Sequence, residues 1–193
     1  MTNIKLVILD LDGTIYRKPL MPWYMLLHLI GQWHKLFRER RARKMLKGQF
    51  FGAEFYTRLY KAMGFDGAEK WYWNVYMPAM IDVIKQHYHA AQWLIPFIEQ
   101  MRKNGARIVV LSDYELVEPK LNALHISPLI FDAIYDAPSL GGLKPAKQLG
   151  LNLLEQYGTQ PEETLVIGDR KDTDAALALA IGATYMKPPI KRI

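Results

Sequence analysis

Four short groups of polar residues carry the chemistry this sequence can perform. The first is Asp10-Leu11-Asp12-Gly13-Thr14. Paired carboxylates directly behind an apolar run are costly to bury unless something cationic meets them. They suggest a metal site and a reacting centre; a strand-to-loop turn with a polar cap is the simpler alternative. An EF-hand calcium loop does not fit, because the later ligands and the closing Glu are missing. The second group is Ser112-Asp113. The Ser112 hydroxyl and the neighbouring N–H can meet an anion, or the serine only caps the next helix.

The third group is Gly142-Leu143-Lys144-Pro145. Lys144, just ahead of a predicted helix, is either a fixed cation for a phosphoryl group or an ordinary solvated lysine. The pattern G-x-x-x-x-G-K-[ST] of phosphate-binding loops is absent. The fourth group runs Gly168-Asp169-Arg170-Lys171-Asp172-Thr173-Asp174. Three acids this close repel one another. A divalent cation relieves that repulsion, and all-oxygen ligands suit Mg²⁺. An acidic first helical turn, favoured by the helix dipole, accounts for Asp172 and Asp174. It accounts poorly for Asp169, directly behind a predicted buried strand.

These groups need elements to hold them. Ile4–Leu9 is a near-continuous apolar run, the pattern of a parallel strand buried on both faces. Similar runs are Arg107–Leu111, Ile130–Tyr135, Thr164–Ile167 and Ala183–Met186. Between them, Gln92–Asn104, Leu116–Leu124, Pro145–Tyr157 and Asp172–Ile181 read as helices. Gly105, Gly158 and Gly182 suit helix ends, and Pro145 suits a first turn. Strands alternating with helices predict an α/β fold, a Rossmann-like open parallel sheet with helices on both faces. In such sheets ligands bind beyond the carboxyl ends of the strands, where the polar groups fall.

Length and composition bound the rest. The 193 residues fit one ordinary domain or a modest core with an insertion, and half of them are hydrophobic, which excludes general disorder. Cysteine is absent, so disulfides, thiolate nucleophiles and Cys-ligated metals are excluded. That suits a reducing compartment, and a cytoplasmic location is the expectation. The first apolar run is too short for a secretory signal and meets Asp10 at once. Leu20–Phe37 is interrupted by polar residues and is a poor membrane span.

The formal net charge is +6, which favours anionic partners. The excess lies between Arg17 and Lys85. That region lacks a convincing strand and reads as several inserted helices, punctuated by Gly48, Gly52, Gly64 and Gly67. Within it, His34–Lys47 is strongly basic, with Glu39 its one acid. A solvated basic face is the plain reading. An electrostatic funnel for an anionic substrate is the functional one. With Trp23, Tyr24 and Trp33 nearby, contact with an anionic membrane surface is a third. No nucleic-acid-binding module is present. Trp71, Tyr72, Trp73 and Tyr76 read as buried packing, and His28, His34, His87 and His89 show no metal-ligand spacing.

The ordered set LVILDLDGT, VVLSD, GLKP and VIGDRKDTD resembles the four motifs of the haloacid dehalogenase superfamily of phosphohydrolases. The match covers the Rossmann-like core, and the insertion sits where that superfamily places a helical cap of the C1 type. The resemblance implies a core of residues 1–16 and 92–193 and a cap of residues 17–91. It implies Asp10 as the nucleophile that forms an aspartyl-phosphate and Asp12 as general acid and base. Thr14 and Ser112 would hold phosphate oxygens, and Lys144 would neutralise charge. Asp169 and Asp174 would bind Mg²⁺ with Asp10 and the backbone carbonyl of Asp12, with Asp172 a substitute or supporting acid.

The expected activity is therefore Mg²⁺-dependent hydrolysis of a small phosphorylated metabolite. Ion-pumping relatives carry a different residue at the position of Asp12, so its presence favours hydrolysis. Phosphotransferase or phosphomutase action with the same residues is the first alternative. A binding protein that uses its basic aromatic cap on a membrane surface is the second. Many relatives carry Asn where this chain has Asp113, so Asp113 must point away from a bound phosphate or be paired.

Overall fold

The computed structural model of the chain describes residues 3–189; the ends of the expected core, residues 1–2 and 190–193, lie outside them. Five parallel strands form one sheet. They are β1 (Leu6–Leu9), β2 (Arg107–Ser112), β3 (Ala133–Asp136), β4 (Thr164–Ile167) and β5 (Thr184–Met186), in the order β3-β2-β1-β4-β5. Every residue of β1 and β4 is buried, as expected of strands covered on both faces. A fully buried Leu, Ile or Val contributes roughly 1.5–3 kcal/mol, so these short strands are strongly committed to the centre.

The register positions the chemistry. Leu9 pairs with Val110 on one side and with Ile167 on the other. The residues just past β1, β2 and β4 therefore emerge side by side at one edge. Because β1 lies in the middle, Asp10 has the Ser112 end of β2 on one flank and the Gly168-Asp169 end of β4 on the other. This is the crevice where an open parallel sheet binds ligands.

Nine helices complete the described residues. Five follow β1: α1 (Met21–His28), α2 (Trp33–Leu46), α3 (Phe55–Met63), α4 (Ala68–Trp71) and α5 (Met77–His87). The others are α6 (Leu94–Lys103), α7 (Val117–Ala123), α8 (Lys147–Tyr157) and α9 (Ala176–Ile181). The inserted segment is thus helical throughout. It shares one hydrophobic cluster with a face of the sheet, running from Val7 and Leu9 through Leu36, Phe55 and Tyr72 to Ile84. Residues of the other sheet face, Leu6, Ile8, Val109 and Val166, pack with Leu149, Leu153 and Leu177. Trp71, Tyr72 and Tyr76 are buried in the first cluster, as their pattern predicts, while Trp73 is only half-buried against it.

Several boundaries differ from the sequence reading. The third strand begins at Ala133, not Ile130, because Pro128–Ile130 forms a 3-10 turn. Proline fixes φ for such a turn and cannot donate to a ladder. Pro145 lies outside α8, which starts at Lys147. Lys171–Ala175 is one π turn ahead of α9, a local widening that often accompanies a functional site.

The basic run is not wholly solvated. Leu36, Glu39, Arg43 and Leu46, at helical spacing, form the buried face of α2. Trp23, Leu27 and Ile30 are exposed. Among the described residues no helix is long and apolar enough to cross a membrane.

Candidate active site

Asp10 continues the β1 ladder by one residue, its N–H donating to the Ile167 carbonyl at 2.8 Å. The carboxylate is held from two directions. Lys144 Nζ donates to Oδ1 at 2.7 Å, and Thr14 Oγ1 donates to Oδ2 at 2.9 Å. Thr14 Oγ1 accepts the Asp169 N–H at 3.0 Å, so one hydroxyl ties the β1 loop to the β4 loop. Lys144 also donates to Asp174 Oδ1 at 2.6 Å. Burial alone would push the Lys144 ammonium down. The charges of Asp10, Asp174 and Asp113 outweigh it and hold its pKa well above the usual lysine value.

The loops approach closely enough that two positions tolerate no side chain. Gly13 has φ 111°, and a Cβ there would collide with the Asp169 carboxylate; at Gly168 it would collide with that of Asp174. Glycine is the residue that accepts both the positive φ and the close approach.

Asp10, Asp169 and Asp174 each offer an oxygen, all within 4.8 Å of one another. Burial raises the pKa of Asp169 and of Asp174, and neighbouring acids add to the rise while Lys18 and Lys144 respectively oppose it. Asp169 Oδ1 is buried with no hydrogen-bond partner. An orphaned buried carboxylate oxygen facing two other acids is what a divalent cation with oxygen ligands would satisfy. The donor set fits such an ion. Asp172 does not join it. It pairs with Arg170 at 2.6 Å and with Lys47 of the inserted segment, on the surface.

The Asp12 side chain also turns away from the three acids. Its Oδ1 accepts Tyr16 Oη at 2.6 Å. Its Oδ2 accepts Ser112 Oγ at 3.0 Å and Lys120 Nζ at 3.2 Å. Lys120 is fully buried. Burial pushes the Asp12 carboxyl up, but Lys120, Lys18 and the hydrogen bonds from Tyr16 and Lys120 outweigh it and hold it well below the usual carboxylate range. Asp12 is therefore a carboxylate here. Its side chain is not among the three acids whose oxygens converge.

Asp113, the departure noted in the sequence, is paired: its Oδ1 accepts the Lys144 backbone N–H at 2.9 Å. Its carbonyl accepts Arg43 Nη1 at 2.5 Å. Arg43 comes from α2, where the basic run is expected to be solvated. It is buried instead, bonded to Glu39 at 2.5 Å, to Glu115 at 2.9 Å and to the Tyr72 hydroxyl. It bolts the inserted helices to the loop after β2.

All seven sequence-predicted site residues thus lie at one end of the sheet, in two groups. Asp10, Thr14, Lys144, Asp169 and Asp174 form one. Asp12 and Ser112 form the other, with Tyr16 and Lys120, which sequence reasoning did not single out. A lone lysine on a short helix and a tyrosine two residues past a motif carry no chemical signature.

Two cavities flank the site. One, about 740 Å³, is lined by Thr14, Arg17, Tyr24, His87 and Trp93 among others. The second, about 290 Å³, lies between α2 and the core, with Lys144, Asp113 and Thr173 in its wall.

The model of the haloacid dehalogenase-like hydrolase family matches residues 4–182. Solved structures are similar over nearly the whole chain. A predicted phosphoglycolate phosphatase from Haemophilus somnus 129PT is 18% identical, with TM-score 0.68, over 98% of this chain and 90% of its own. A HAD hydrolase of Bacillus subtilis, bound to magnesium, is 16% identical with TM-score 0.68, covering 98% and 92%. A 2-haloacid dehalogenase from Pseudomonas syringae pv. tomato DC3000 is 18% identical with TM-score 0.63, covering 94% and 85%. At these identities the likeness concerns the fold. No curated protein matches the chain.

Proposed function

The chain belongs to the haloacid dehalogenase-like hydrolase family, and from that membership we propose that it is a Mg²⁺-dependent phosphatase. Its substrate is a small phosphate monoester, cleaved through an aspartyl-phosphate on Asp10. The family's fold is shared by a dehalogenase, so the site has to choose the chemistry. One arrangement supports phosphoryl transfer: Asp10 stands between a buried ammonium and two further acids, one with an orphaned oxygen. That concentration of charge suits an anionic phosphoryl group whose repulsion must be cancelled before a carboxylate can attack it.

In this reading an Asp10 oxygen attacks phosphorus, forming one O–P bond as the ester's P–O bond breaks. The leaving alkoxide takes a proton from Asp12. A water molecule then attacks the phosphorus of the aspartyl-phosphate and gives its proton to Asp12. Inorganic phosphate leaves and the Asp10 carboxylate is regenerated. Asp10, Asp169 and Asp174, with the Asp12 carbonyl, would hold Mg²⁺, which supplies charge neutralisation when bound.

Lys144 holds Asp10 in place and offsets the phosphoryl charge. Thr14 and Ser112 are engaged with Asp10 and Asp12, so each must exchange that bond to reach a phosphate oxygen. Asp12 is poised as the base. To act first as an acid it must gain a proton, which means loosening its contact with Lys120. Residues 17–91 serve as a cap over a core of residues 1–16 and 92–193, and a cytoplasmic setting completes the proposal.

The test is a phosphate-release screen over phosphorylated metabolites, with and without Mg²⁺, on wild type and Asp10→Asn. The expected result is release that needs both Mg²⁺ and Asp10. Release undiminished in Asp10→Asn removes the proposed nucleophile, and phosphate moved between sugar hydroxyls without release points to a mutase.

A further inference from the structure

The 290 Å³ cavity beside Lys144 has an unusual wall. Six of its lining side chains are basic, Arg40, Arg43, Lys44, Lys47, Lys144 and Arg170, against two acids, Asp113 and Asp172. Arg40, Arg43 and Lys44 lie on α2 at positions i, i+3 and i+4, which is one helical face, and Lys47 follows directly at its C-terminal end. The face is not uniform in its partners. Arg43 is held by Glu39 and Glu115. Lys144 is held by Asp10 and Asp174. Lys47 and Arg170 share the carboxylate of Asp172.

Arg40 and Lys44 differ. Among the described residues neither has an acidic partner within ion-pair distance. They stand at i and i+4, where like charges destabilise a helix unless something anionic lies between them. They also face a space at the small end of ligand sites, which run from roughly 300 to 1,000 Å³. The same cavity is walled by Lys144, whose ammonium touches the nucleophile. A molecule whose phosphoryl group reaches Asp10 past Lys144 therefore has the rest of its length beside two unmatched cations.

We propose that the substrate of this site carries a second anionic group, a carboxylate or a second phosphate, and that Arg40 and Lys44 bind it. The inference rests on the phosphatase reading and names its substrate class. It also gives the basic run a divided role. Arg43 is a strut, Lys47 reaches a surface acid of the core, and Arg40 with Lys44 reads the substrate's far end. A neutral-tailed monoester leaves those two cations unsatisfied and is the poorer ligand.

Non-hydrolysable phosphonates test this without turnover. Calorimetry on the full chain compares pentylphosphonate, phosphonobutyrate and tetramethylene diphosphonate, which share a phosphonate and differ at the far end. The wild type should bind one or both doubly anionic probes at least about tenfold more tightly than pentylphosphonate. Which one it favours separates a carboxylate from a phosphate. In Arg40→Gln/Lys44→Gln the preference should fall below about threefold. Arg41→Gln, an exposed position outside the cavity wall, removes a charge from the same helix and should keep the preference. Melting curves verify that each variant is folded.

Equal affinity of the wild type for all three probes overturns the proposal. So does failure to bind any of them, a preference that survives the double substitution, or an equal loss in Arg41→Gln. Phosphate release is scored separately on glycerol phosphate and phosphoglycerate, which differ in the same way. A wild type that shows the binding preference but releases no phosphate from any ester keeps this site and refutes the phosphatase reading.

Discussion

Lys120 and Asp12, 108 positions apart in the chain, meet in the interior with Nζ 3.2 Å from Oδ2. The core thus contains two buried lysines with separate charges to answer. Lys144 answers Asp10 and Asp174; Lys120 answers Asp12. Each carboxylate proposed to act in catalysis is held in place by its own ammonium.

Removing that second ammonium should alter the pH profile more than the fold. Lys120 touches only Asp12 among the acids, so Lys120→Met frees Asp12 to rise toward ordinary carboxylate values. An opposite charge this close lowers a carboxyl by about 1–3 units. Because Asp12 acts first as the acid, the alkaline limb of kcat/KM should move up by about one unit or more, with kcat reduced roughly 10- to 100-fold. Steady-state rates from pH 4 to 8 read this directly; an unmoved limb excludes the positioning role.

Asp10→Asn should lower phosphate release by about 10⁴-fold or more. The fold should survive, because the amide keeps the shape and the substitution relieves repulsion from Asp169 and Asp174. A melting temperature at or above that of the wild type is the accompanying expectation.

The raised carboxyls near the proposed metal site make stability fall as pH rises. Asp169 has a folded pKa above its unfolded value. In that window the folded state binds the extra proton, so its contribution is full below the ordinary carboxylate value and is lost as pH rises through the folded one. Asp12 has the opposite sign, but its window lies below the ordinary carboxylate value. Melting of metal-free protein between pH 4 and 7 should show a shallower pH slope in Asp169→Asn than in wild type. Added Mg²⁺ should raise the wild-type melting temperature at pH 7 and leave that of Asp169→Asn nearly unchanged. Identical slopes and identical Mg²⁺ responses would show that Asp169 does not hold the ion.

Arg43 should matter chiefly for stability. Its removal strands Glu39 and Glu115 in the interior, each already with one unpartnered oxygen. Breaking a buried ion pair from one side costs about 3–5 kcal/mol, and Arg43→Ala should cost that much in urea unfolding. Arg43→Lys, which keeps charge but loses the fork of donors, should fall between. A loss under about 1 kcal/mol in Arg43→Ala would mean the acids find other partners or take up protons.

Much of this arrangement was legible residue by residue. The apolar runs before Asp10 and Asp169 identify β1 and β4, because continuous burial demands a continuous apolar sequence. The glycines at 13 and 168 mark where two loops crowd together. The third strand was misplaced by three residues at its start, since Ile130 is as apolar as a strand residue and only Pro128 signalled a turn. In α2, the spacing of Glu39 and Arg43 with Leu36 and Leu46 already placed them on one face. A charged pair inside an apolar face is easily taken for part of a solvated stripe.

The order of the four polar groups and their attachment to strand ends belong to the amino-acid sequence itself, because strand formation and tight turns are local events governed by neighbouring residues. Which lysine is buried, which acid it meets, and which unpaired cations of a basic helix face the cavity belong to the tertiary structure. Those outcomes depend on β1 lying between β2 and β4, and on α2 settling over the loop after β2. Charges interact through space with strengths set by distance and burial, and neither quantity exists until the distant parts of the chain have packed.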